Sequence, residues 1–206
     1  MADWAALLTW SKEVAGIALS QRQREQLQVY VELLLRWNEK IALVSQRDSA
    51  SILAKHVADS LFAAAQCGGP SRIADLGSGA GFPGLPIAIA NPGAQVCLIE
   101  SRGKKVSFLE EARRAVGAGN CTIYHGRIEL AAAEHGPIYD VAVSRALADT
   151  DRLLALALPL LAPSGRLIAM QSASGLPGEP GQRLPYTLPD GSSRELLVVT
   201  PSVALT

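Results

Sequence analysis

Asp75-Leu76-Gly77-Ser78-Gly79-Ala80-Gly81-Phe82-Pro83-Gly84 places four glycines within eight positions, between a short apolar run and a helical stretch. Glycines there permit a tight turn and bring backbone N–H groups to a ligand that a Cβ would keep away. Read from Gly79, the glycines at 79, 81 and 84 also satisfy the dinucleotide pattern. Spacing alone therefore leaves a nicotinamide enzyme open. Three details favour a nucleoside without a pyrophosphate: Gly77 follows the strand at once, Asp75 precedes it by two, and Pro83 stands where a dinucleotide fold is already helical. Glu100 ends the next apolar run, Cys97-Leu98-Ile99, which puts a carboxylate beside the turn. It can accept from both ribose hydroxyls in either ligand class, or cap the helix beginning near Lys104. Arg127 and Arg145 follow later strands; the bland alternative is a surface arginine paired with a nearby acid. His56 and Asp59, three apart on a helix, suggest an ion pair or shared polar contact, with docking of the N-terminal helices favoured over a catalytic dyad.

These residues need a scaffold. Ser20 and Gln23 form a capping box for a helix whose apolar face runs through Leu27, Val31, Leu34 and Ile41. A shorter amphipathic helix covers 4–14, and a third, N-capped by Asp48, Ser49 or Ser51, covers 52–65 before Gly68, Gly69 and Pro70. From Arg72 onward apolar runs alternate with helical stretches, the pattern of βαβ units and a parallel sheet. Strands are expected at 72–76, 95–99, 121–125, 139–143 and 166–171, and helices at 85–90, 104–116, 128–134 and 150–158. After a Gly/Pro/Ser-rich loop at 172–182, runs at 184–188 and 195–200 flank Pro189-Asp190-Gly191 and predict an antiparallel hairpin. The expectation is an α/β, Rossmann-like fold with a mostly parallel sheet, in which residues 1–68 form a helical extension and 69–206 the core of one structural domain.

With 206 residues, 49% hydrophobic and 18% charged, the chain can build a sizeable core. Its longest apolar runs fall far short of the roughly 20 residues of a membrane span, and the N-terminus lacks a basic, cleavable leader. A soluble, cytoplasmic protein, expected to be a monomer, follows. Cys67, Cys97 and Cys121 are too scattered for a disulfide framework or a zinc site, so no metal is expected. Nineteen basic against nineteen acidic residues exclude a global positive field, so a nucleic-acid partner would need a local patch. Arg102, Lys104 and Lys105, with Arg113 and Arg114, could supply one; a solvated face balanced by Glu110 and Glu111 is equally open.

Three segments together resemble the RsmG (GidB) family, which methylates N7 of a guanine in small-subunit (16S) ribosomal RNA. They are Arg36-Trp37-Asn38 with Arg47-Asp48 and His56-Val57-Ala58-Asp59-Ser60-Leu61; the turn ending Gly-Phe-Pro-Gly; and Gly126-Arg127-Ile128-Glu129 with Val143-Ser144-Arg145-Ala146-Leu147-Ala148. The resemblance implies a class I methyltransferase using S-adenosylmethionine, with S-adenosylhomocysteine as product and ribosomal RNA or the 30S particle as partner. It implies Gly77 and Phe82 at the methionine and sulfonium region and Ile128 and Glu129 at the adenine, with Asp75, Ser78, Gly79, Gly81, Glu100, Ser101 and Arg145 completing the expected cofactor-binding set. Arg145 stands at the methyl-transfer face, Arg127 matches a second functional arginine, and His56, Asp59, Lys104, Lys105 and Gln171 are candidates for substrate contact. Two positions depart from the family pattern: Ala42-Leu43-Val44 replaces Asn-Leu-Thr, and Gln171 replaces a lysine. Neither a Pro-Cys nucleophile nor an Asn-Pro-Pro-Tyr-like motif occurs, in agreement with a ring-nitrogen target. A methyltransferase for another substrate, a dehydrogenase, and a ribosome-associated RNA-binding module with a vestigial pocket are the alternatives.

Overall fold

The computed structural model describes residues 3–46, 48–69, 71–145, 150–172 and 181–200. Arg47, Pro70, Ala146-Leu147-Ala148 and all but the ends of the 172–182 loop lie outside the described residues. Helix α1 (Trp4–Glu13) is capped by Asp3. Helix α2 (Gln21–Asn38) opens with the expected capping box, in which the Ser20 and Gln23 side chains satisfy one another's backbone N–H groups. The Gln23 amide also donates to the Ile89 and Ala90 carbonyls at 2.9 and 3.0 Å, tying the start of α2 to the end of a later helix.

The anticipated face Leu27, Val31 and Leu34 is buried, but Ile41 lies beyond α2, which stops at Asn38. The third helix is not continuous either. A four-residue α3 (Ser49–Ile52), capped by Asp48, leads into a π turn (Leu53–Val57) and then α4 (Ala58–Gln66). A π turn closes i→i+5 and so moves residues three apart off a common face. It falls on His56, where no breaker in the sequence signals it.

The strands are β1 (Arg72–Leu76), β2 (Gln95–Glu100), β3 (Cys121–His125), β4 (Tyr139–Arg145), β5 (Leu161–Ser172), β6 (Gln182–Thr187) and β7 (Ser193–Val199). Between them run α5 (Gly84–Ala90), α6 (Gly103–Val116), α7 (Ile128–His135) and α8 (Thr150–Ala157), the last followed by a 3₁₀ turn (Leu158–Leu160). The parallel strands and the helices lie where the sequence pattern predicts, with β4 and β5 extended beyond it, while β6 and β7 each begin two residues earlier than expected. The seven-stranded sheet has the order β3-β2-β1-β4-β5-β7-β6. Strands β1 to β5 are parallel, while β7 joins β5 antiparallel and pairs with β6 in the expected hairpin. The fold is Rossmann-like.

Both faces of the sheet are covered, which explains why its central strands read as continuous apolar runs. On one face Ile73, Leu98, Val141, Val143 and Ile168 pack against α1, α2, α4, α5 and α6; on the other Ala74, Leu76, Ile99, Ala142 and Leu167 pack against α7 and α8. The N-terminal helices thus share one core with the sheet. Trp10 Nε1 donates to the Thr187 carbonyl at 2.8 Å, reaching from α1 to β6. Among the described residues no helix is long and apolar enough to cross a membrane, and no cluster suited to a metal occurs. All three cysteines are free and buried.

Strand order reverses on either side of β1, and a parallel sheet leaves its crevice for ligands outside the carboxyl ends at that point. Gly84, the first residue of α5, lets the helix approach β1 and β2: a Cβ there would lie 2.2 Å from Leu98 Cδ2 and 2.5 Å from Asp75 Oδ2. Gly84→Ala is expected to cost about 3 kcal/mol, as overpacking does in a close-packed core. Chemical denaturation measures it, and a loss below 1 kcal/mol, roughly an ordinary surface change, would show that the helix moves aside freely.

Candidate functional site

A cavity of about 530 Å³ opens at the carboxyl ends of β1 to β4, within the size range of small-molecule sites. Its wall is built from the turn after β1 (Gly77, Ser78, Gly79, Ala80, Phe82), the end of β2 and the segment after it (Ile99, Glu100, Ser101, Arg102, Lys105), the segment after β3 (Gly126, Arg127, Ile128, Glu129) and Arg145 at the end of β4. Leu43 and Val44 complete it from the N-terminal helical region.

The turn is fixed by hydrogen bonds on every side. Gly77 N and Ser78 N both donate to the Ile99 carbonyl at 3.0 Å, and Gly81 N donates to Ser78 O at 2.7 Å. Gly77 and Gly79 take φ of +73° and +60°, a region that L side chains enter at a cost. Glu100 joins the turn to the start of α6. Its Oε2 accepts from Gly79 N at 2.9 Å and its Oε1 from Arg102 N, at the N-cap of α6, at 2.8 Å. Each carboxylate oxygen keeps a further lone pair for a ligand hydroxyl.

Two residues expected at the ligand act from behind it. Asp75 is fully buried and does not line the cavity; its Oδ2 accepts from Gly84 N at 3.1 Å, while Oδ1 has no hydrogen-bond partner. Burial pushes the Asp75 carboxyl up to about 7 against the pull of its hydrogen bonds. Gly81 likewise faces the protein, where an added Cβ would lie 3.1 Å from Leu109 and 3.2 Å from the Tyr30 hydroxyl. That hydroxyl, wholly buried on α2, donates to Ala80 O at 2.6 Å. Nothing in the periodicity of α2 distinguishes Tyr30 from an ordinary core residue.

His56 and Asp59 do not pair with each other, because the π turn aims them at different partners. His56 Nε2 lies 2.5 Å from Gln46 Oε1, and its ring stacks on Phe82 with centroids 5.1 Å apart. Burial, and then the cations Arg145, Arg194 and Lys55, lower the imidazole to about 3, so it is neutral at physiological pH. Asp59 accepts a short hydrogen bond from the Tyr186 hydroxyl of β6 and stands 3.9 Å from Arg145 Nη1. Burial raises the Asp59 carboxyl and lowers the Arg145 guanidinium, outweighing their attraction in each case. Arg145 Nη1 is left buried without a hydrogen-bond partner, and its guanidinium carbon lies 5.9 Å from the centre of the Phe82 ring.

Arg127 is exposed at the N-cap of α7, with Glu129 in the first turn. Lys105 lines the cavity and Lys104 is exposed beside it; farther along α6, Arg113 pairs with Glu110 at 3.4 Å and Arg114 is exposed. Gln171 stays outside the cavity wall; its amide donates to Thr150 Oγ1 at 2.8 Å. Leu43 and Val44, noted only as part of a departure from the family pattern, and Ala80, noted only as part of the turn, are cavity-lining residues that the sequence did not single out, since small or apolar residues in irregular segments carry no chemical signal.

The family described as GidB, rRNA small subunit methyltransferase G, matches residues 23–176. A Ribosomal RNA small subunit methyltransferase G from a Geobacter species is 34% identical over 198 residues, covering 89% of this chain and 91% of the relative. Its Clostridium beijerinckii counterpart is 40% identical over 172 residues, covering 82% and 72%. Among solved structures, the C-terminal domain of precorrin-6Y C5,15-methyltransferase from Rhodobacter capsulatus superposes with a TM-score of 0.56 at 16% identity, over 81% of this chain and 97% of that one.

Asp75 carries a test of this geometry. A carboxyl raised in the fold contributes stability below its ordinary value of 3.8 that is lost as pH rises through about 7. Asp75→Asn is expected to flatten that part of the melting-temperature profile; an unchanged slope would show that Asp75 ionises freely in the folded protein.

Proposed function

The chain belongs to the GidB family, rRNA small subunit methyltransferase G, and is an rRNA methyltransferase; on that premise we propose that its cavity binds S-adenosylmethionine and that its target is N7 of a guanine in 16S rRNA. The observation that carries the reading is one cavity lined jointly by Gly77, Gly79, Phe82, Glu100, Ile128 and Arg145. When bound, the cofactor supplies an electrophilic methyl group on a sulfonium centre.

The residues present suit it. Backbone at Gly77, Ser78 and Gly79 would meet the methionine end, the spare lone pairs of Glu100 the ribose hydroxyls, and the buried Ile128 side chain the adenine, with Ser101 and Glu129 at the rim. Phe82 closes the methionine end with an apolar ring. Asp75 and Gly81 serve through the turn they hold.

Guanine N7 presents an in-plane lone pair and no proton, so the protein needs no general base: it must orient the base and exclude water. This accords with a neutral, hydrogen-bonded His56. Arg145 Nη1, which makes no hydrogen bond and stands 3.9 Å from Asp59, is a donor suited to guanine O6 or an adjoining phosphate, with the base turned out of its stack. Arg127 and the α6 end bearing Arg102, Lys104 and Lys105 offer local positive charge on a chain whose formal charge is zero. With Gln171 in place of a lysine, that end of β5 contributes an amide rather than a cation. The particle that serves as substrate is taken to be RNA in or from the 30S subunit, met by a cytoplasmic monomer.

Arg145→Ala tests the assignment. At saturating cofactor, kcat on ribosomal RNA is expected to fall at least about 100-fold, the scale of a lost transition-state contact, while S-adenosylmethionine Kd by calorimetry changes less than about threefold. Equal losses in both would place Arg145 in cofactor binding alone.

A further inference from the structure

Residues 39–46, which follow α2, have no regular secondary structure, yet they supply Leu43 and Val44 to the cavity. Every other lining residue comes from a sheet strand or from the segment after its carboxyl end. What holds this segment is Asn38, the last residue of α2. Its Oδ1 accepts from Leu43 N at 2.8 Å and from Val44 N at 3.0 Å, and its Nδ2 donates to Val44 O and to Gln46 O, both at 3.0 Å. Those four bonds use the whole capacity of a side-chain amide. The far end of the segment is fixed as well, through Gln46 to His56, whose ring stacks on the cavity residue Phe82.

A side chain spent entirely on four backbone groups of an irregular segment sets the shape of that segment rather than adding to a core. The shape here turns Leu43, which is buried, and Val44, which is half-buried, toward a wall otherwise rich in backbone and charge. We propose that Asn38 is a positioning residue for the cofactor: it holds Leu43 and Val44 as an apolar wall against the bound nucleoside. This rests on the cofactor reading above. Asn38 acts through its neighbours and touches no reacting atom.

The test compares the unaltered chain with Asn38→Ala and Leu43→Ala, using S-adenosylhomocysteine as probe in calorimetry. Amide hydrogen exchange and kcat at saturating cofactor are measured alongside. In both variants Kd should rise about tenfold or more while kcat stays within about threefold, a split that general loosening of the fold would not give. Exchange of the Leu43 and Val44 amides should quicken in Asn38→Ala, which removes their acceptor. Leu43→Ala removes part of the wall and keeps the clamp, so should Asn38→Ala fail to fold it still tests the wall that the clamp is proposed to hold, and an unchanged Kd in it alone overturns the proposal. If the unaltered chain binds the probe and both variants bind it equally well, the clamp is wrong and the cofactor reading stands. If the unaltered chain does not bind the probe, the cofactor reading fails and the clamp with it.

Discussion

The geometry of this protein depends on holding a glycine-rich backbone still. Three glycines between β1 and α5, with Gly84 opening α5, carry little side chain to define a shape, and glycine loses more conformational freedom on ordering than any other residue. The structure offsets this with three side chains from three elements. Asp75 at the end of β1 accepts from Gly84 N, Glu100 at the end of β2 accepts from Gly79 N, and Tyr30 on α2 donates to Ala80 O. One bond comes from beneath the turn, one from beside it and one from the N-terminal helices. A backbone cradle for a ligand follows only because all three are present.

That third bond explains why the N-terminal helices are part of the site. They share the core of the sheet, Tyr30 reaches the turn, Asn38 shapes the segment that brings Leu43 and Val44 to the cavity, and the π turn presents His56 to Phe82. On the far side, Asp59 joins Tyr186 of the hairpin to Arg145 of β4 in a buried polar cluster. Such a cluster adds little net stability, since desolvation offsets attraction, but it sets a buried carboxylate beside Arg145 at the end of its strand. Sheet, helices and hairpin therefore converge on the same few ångströms of Phe82 and Arg145.

Much of this was legible in the sequence, for reasons that can be named. Parallel strands buried on both faces leave apolar runs, the Ser20 and Gln23 box has a fixed spacing, and glycines after a strand mark a ligand turn. Glu100 was legible as a carboxylate beside that turn, though not its two backbone bonds. The π turn was not: no breaker marks it, and the helical spacing of His56 and Asp59 suggested a contact that does not form. Asn38 and Tyr30 were invisible as supports, because their role lies in which backbone groups they meet across distances of 5 to 50 residues. Asp75 and Gly81 were placed at the ligand by their position in the turn, whereas their side of the backbone faces the protein.

The central claim is that this cavity holds a methyl donor beside a guanine of small-subunit rRNA. It is tested most directly by incubating the protein with labelled S-adenosylmethionine and small ribosomal subunits that lack the endogenous modification, then identifying the labelled nucleoside by mass spectrometry. The account predicts label in 7-methylguanosine. Label in any other nucleoside, or none despite bound cofactor, would contradict it.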